Sequence, residues 1–118
     1  MIIIRGLMTT SFKQLSKTLT KILGEEKINI RYRIMGEEIT YVDEKIGLYT
    51  ESYAINNLDK NIDKHLFSCE FNGSFLEAGE LVLKIGESLR KKGSESEFSI
   101  EIDEDDDIVF NFTPNFNI

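Results

Sequence analysis

The periodicities of this chain predict an α+β fold. Two strand-helix-strands modules of βαβββ type should form a largely antiparallel or mixed sheet carrying two helices. Three observations predict it. Apolar residues fall three and four apart in two windows only, they alternate through most of the remainder, and the two helical windows open alike, on "SFKQL" and "SFLEA", with Ser11 and Ser74 63 residues apart.

In chain order, "MIIIR" reads as a short buried strand, since three β-branched isoleucines suit a pleated position covered on both sides. Ser11 with Gln14 then matches a capping box, and Phe12, Leu15, Leu19, Ile22 and Leu23 define an amphipathic helix over 11–23 that Gly24 stops. From Lys27 the period is two: Ile28, Ile30, Tyr32 and Ile34 share one face, and Asn29, Arg31 and Arg33 the other. "MGEE" turns the chain into "ITYVD" and "IGLYTESYAI", two strands parted by the polar corner 43–45. The polar, strand-poor stretch 56–64 is read as the connection between halves.

"HLFSCEF" restarts the alternation. Ser74 and Glu77 form a second capping box, and Ala78, Leu81, Val82, Ile85 and Leu89 mark a helix ending in "RKKG". Gly79 and Gly86 within it weaken a helix relative to alanine, and close approach to the sheet is the reason expected for them. Phe98, Ile100 and Ile102, then Ile108, Phe110 and Phe112, alternate on either side of five consecutive acids, Asp103, Glu104, Asp105, Asp106 and Asp107, where a hairpin must reverse. After Pro114, which cannot donate to a ladder, "FNI" reads as a short edge strand. The organisation expected is one domain over 1–118, with pseudo-repeat halves 1–55 and 65–118.

This order of elements resembles, in topology more than in sequence, the glyoxalase and vicinal-oxygen-chelate architecture, whose enzymes hold a divalent metal inside a cup. The resemblance implies a small-ligand or metal-binding cup lined by His65, Glu70 and Glu101, although "MIIIR" supplies no ligand where that family's first strand commonly does. A ferredoxin-like sandwich is the competing arrangement.

Composition bounds the function. At 41% hydrophobic and 30% charged, the 118 residues have the make-up of a packed domain. No apolar run approaches the roughly 20 residues needed to span a bilayer, and the opening stretch is too short for a signal peptide, so a cytoplasmic protein is expected. The lone Cys69 agrees, and the sequons at Asn72 and Asn111 are then chance.

Net charge is −7, unevenly spread: residues 1–36 hold seven Lys or Arg and two Glu, while 37–118 hold seven Lys or Arg and nineteen acids. Such a balance disfavours nucleic acid, which wants clustered cations.

Chemistry-bearing patterns are few. Asp103, Asp105 and Asp107 match the first places of a calcium loop, but Ile108 stands where glycine is needed and Pro114 where the bidentate Glu belongs. His65 and Cys69 lie four apart on a strand, without a third orienting residue or an oxyanion motif. There is no glycine-rich phosphate loop, and no Trp for a sugar platform.

No catalytic residue and no cofactor is assigned. Residues 94–107 carry eight acids (Glu95, Glu97, Glu101, Asp103, Glu104, Asp105, Asp106, Asp107) and no cation. The expectation is a non-enzymatic protein-binding module whose partner has a basic surface, most sharply an inhibitor or immunity-type partner of a toxin. Homodimers, or an assembly subunit that self-associates, are the further options.

Overall fold

A computed structural model describes residues 1–33, 36–53, 64–104 and 107–112. In chain order they form β1 (Ile2–Thr9), α1 (Phe12–Leu23), β2 (Ile28–Arg33), β3 (Gly36–Val42), β4 (Ile46–Tyr53), β5 (Lys64–Phe71), α2 (Phe75–Lys91), β6 (Glu95–Glu104) and β7 (Asp107–Phe112). The fold is α+β, with an antiparallel sheet and two helices. The connection expected at 56–64 falls outside the described residues up to its last member, Lys64, which opens β5. The strand expected after Pro114 lies wholly outside them.

Seven strands make one sheet in the order β2-β3-β4-β5-β1-β6-β7, every neighbouring pair antiparallel. The described elements run β-α-β-β-β and then β-α-β-β, and the pairing does not keep the two expected halves apart. β1 is hydrogen-bonded on one side to β5 and on the other to β6. With four strands between its helices the chain is not the β-α-β-β-α-β sandwich.

Both helices lie on one face, where they touch one another and bury the even-numbered positions of β1 and β6 and the odd-numbered positions of β5. One rung shows the core: Leu48, Cys69, Ile4 and Ile100 sit side by side across β4, β5, β1 and β6, none more than 2% exposed. Each aliphatic side chain so buried contributes about 1.5–3 kcal/mol. Leu15 and Leu19 of α1, with Val82, Ile85 and Leu89 of α2, close the core from above at 0% exposure.

Local chemistry fixes the helix ends. Ser74 accepts from the Glu77 amide while the Glu77 carboxylate accepts from the Ser74 amide, a full capping box. At Ser11 only half of the box forms: the serine accepts from the Gln14 amide at 3.1 Å, and Gln14 leaves its Oε1 buried without a partner. Gly24 and Gly93 follow the helices at φ +88° and +79°, a left-handed geometry that suits glycine.

Two expectations about glycine change. β1 does not stop at Arg5 but runs through Gly6, where a Cβ would stand 2.6 Å from the Phe98 ring. Gly79 makes no close approach: a Cβ there would meet nothing within 4 Å.

Candidate functional site

The face of the sheet turned away from the helices carries the charged side chains. Strand alternation puts Ser96, Phe98 and Ile100 of β6 into the core and sends Glu95, Glu97, Ser99 and Glu101 to the reverse. Glu95 and Glu97 are exposed, and Glu101 is half-buried. On the neighbouring strand Thr9, Leu7 and Ile3 stand opposite these three glutamates. Arg5, exposed and opposite Ser99, sits diagonally between Glu97 and Glu101, within about 7–8 Å by sheet geometry. Among the described residues Arg5 makes no ion pair. Inserting β1 beside β6 thus interleaves the basic start of the chain with its acidic end.

The five-acid run straddles the β6–β7 reversal rather than forming a loop of its own. Asp103 pairs with Ile108 and Glu104 with Asp107, so three of the five acids belong to the ladder, with a register shift after Ile102. Asp105 and Asp106 lie outside the described residues. A ladder runs through Asp103 and Asp107, whereas a calcium loop wraps its backbone around the ion.

At the other end of the same face a second cluster forms. Glu38, 7% exposed, accepts from Arg33 Nη1 and, at 2.9 Å, from the Tyr49 hydroxyl; Glu51 Oε1 stands 3.9 Å from the same guanidinium. Glu38 raises the pKa of Arg33, and burial, followed by the Glu38 hydrogen bond, raises that of Tyr49. A concavity of about 550 Å³ opens beside it, lined in part by Tyr32, Glu37 and Ser52. The sequence reading missed this cluster, although the alternation of Arg31 and Arg33 opposite "EE" held its signal: β2 and β3 pair Arg31 with Glu38.

The residues considered for catalysis do not converge. His65 and Cys69 point from β5 into the core at 0% and 1% exposure, with Phe67 between them; four residues of strand separate them by about 13 Å. His65 lies 3.1 Å from the Thr10 carbonyl, which accepts from Nε2, and its ring packs near Phe12. Burial, followed by the nearby charges of Glu70 and Asp43, pushes the Cys69 thiol up to about 12, so it is not a thiolate nucleophile at neutral pH.

Glu70 and Glu101 face the opposite side of the sheet from His65, so the lining implied by the oxygen-chelate resemblance is divided by the sheet itself. Among the described residues no three His, Cys, Asp or Glu side chains gather as a metal site. No described helix is long and apolar enough to cross a membrane.

This face combines charged and apolar side chains. It has exposed carboxylates in a row, a diagonal arginine, and two exposed apolar side chains nearby, Leu66 at 48% and Tyr49 at 37%. No protein-family model matches the chain, and no curated protein and no solved structure shows significant similarity to it.

Proposed function

We propose that the protein is a non-enzymatic binding module that engages a basic protein through the helix-free face of β6 and the acids leading into β7. Its sharpest form is an inhibitor or immunity-type partner that covers the cationic site of a toxin. The observation that carries this reading is the alignment of Glu95, Glu97 and Glu101 on one face of one strand, turned away from the core. The sequence adds five more acids in direct continuation. A row of like charges held on a rigid strand needs no reordering before encounter, which favours fast, salt-sensitive association with a cationic surface.

The test compares affinity capture from extract of the source organism by the native protein and by the triple variant Glu95→Lys, Glu97→Lys, Glu101→Lys. The native protein should retain a basic partner at low salt and release it as the Debye length shrinks from about 10 Å at 0.1 M to about 3 Å at 1 M. The variant should lose it. Equal capture by both, or turnover of a small substrate by the purified protein, would overturn the reading.

A further inference from the structure

In the helix layer α1 carries a charge pattern of the opposite sign, while α2 is balanced, with Glu77, Glu80 and Glu87 against Lys84, Arg90 and Lys91. On α1, Lys13, Lys17 and Lys21 recur every fourth residue, all three exposed, and the helix holds no acid. Like charges four apart on a helix repel and destabilise it. Across the seam with α2, Lys21 meets Lys84 and Lys91 along a groove of about 410 Å³, whose single acid, Glu87, is already held by Arg90 at 3.1 Å. Among the described residues no ion pair engages any of these five lysines.

Spacing relates this stripe to the sheet. Lys13 to Lys21 spans about 12 Å at the helical rise, and Glu97 to Glu101 spans about 13 Å along an extended strand. Both faces also expose apolar side chains: Leu76 at 72% and Leu83 at 45% on α2, Leu66 and Tyr49 on the sheet. The two stripes lie on opposite sides of a two-layer molecule, so one copy cannot satisfy its own.

We infer that the lysine face of α1 and α2 docks the acidic β6 face of a second copy of this chain, head to tail. The lysines of α1 bear a self-repulsion that the glutamates of β6 relieve, and those glutamates have only Arg5 set among them on their own face. The contact is heterologous, because the surfaces that meet are different, and it therefore propagates into stacked oligomers rather than closing as a two-fold dimer. It uses the acidic face of the reading above with a different occupant, so a basic partner displaces the neighbouring copy.

Sedimentation velocity at about 20 mM and about 0.3 M salt reads the contact through its screening. The native protein should show an average mass that rises with concentration at low salt and returns to the monomer at high salt. The variant Lys13→Glu, Lys17→Glu, Lys21→Glu should stay monomeric, as should the triple glutamate reversal on β6. An equimolar mixture of the two variants should regain the mass increase, since each then offers the sign the other lacks. If a reversal variant loses its native circular dichroism, the neutral set Lys13→Gln, Lys17→Gln, Lys21→Gln replaces it, with the same loss expected.

A native protein that stays monomeric at low salt and high concentration overturns the inference, as does association that survives the lysine reversal, or a mixture that stays monomeric. The lysine variant should still capture the basic partner, which separates failure here from failure of the proposed function.

Discussion

Phe67 and Phe98 meet edge to face across β1, ring centroids 5.5 Å apart and planes at 89°, over Gly6, the one position of β1 that has no side chain. A Cβ there would lie 2.6 Å from one Phe98 ring carbon and 3.0 Å from the Glu97 carbonyl. Gly6→Ala should therefore destabilise by about 1–3 kcal/mol, the range for an overpacked core. Urea unfolding of the variant against the native protein measures it, and an unchanged midpoint would mean that the ring moves freely aside.

Gly79 is the opposite case. It sits mid-helix with open space where a Cβ would go. Gly79→Ala should stabilise by up to about 1 kcal/mol through helix propensity alone, seen as a rise of a few degrees in thermal midpoint.

Cys69, 1% exposed and with its thiol pushed up to about 12, should resist iodoacetamide at neutral pH in the folded protein. It should react at the rate of a free thiol once the chain is unfolded. Fast labelling of the native state would show that β5 opens locally.

Two carboxylates tie stability to pH. Asp43 accepts from the Tyr41 hydroxyl at 2.6 Å and from the amides of Lys45 and Ile46 at 2.7 Å, bonds that hold its pKa below the ordinary aspartate value. Glu77 is lowered by Lys45 and by the Ser74 cap. A depressed folded pKa gives stability that is present above the unfolded value of about 4 and lost as pH falls through the folded one. Denaturation midpoints should be level between pH 6 and 7, fall below about pH 4, and fall less steeply in Asp43→Asn.

Charge reversal on β6 should act on rate. Glu97→Lys should slow association with a basic partner several-fold at low salt and much less at high salt, with thermal stability nearly unchanged because the side chain is exposed. Stopped-flow mixing at two ionic strengths checks it.

Sequence periodicity located both helices and most strand positions, because one face of each element is apolar and the chain must bury it. Ser74 with Glu77 and the apolar ladder from Ala78 to Leu89 leave little choice for α2. Gly6 hid the second half of β1, since glycine reads as a break until the Phe98 ring it accommodates is seen. The acids of β6 were legible as a group, and strand alternation gives them a shared face, but the arginine set diagonally among them, Arg5, follows from the register with β1, which no local pattern contains. For the same reason Glu38 reads as a surface acid until Arg33 and Tyr49 close over it.

The central position of β1 bears on biosynthesis. Residues 2–9 are synthesised before both strands that flank them, one beginning near the middle of the sequence at Lys64 and the other at Glu95. This isoleucine-rich segment therefore lacks one neighbour until β5 has been made and the other until β6 has. Long-range closure of this kind slows folding and leaves a sticky strand edge open to other nascent chains. A product truncated before Glu95 would leave that edge permanently bare, which makes premature termination there more hazardous than loss of β7 alone.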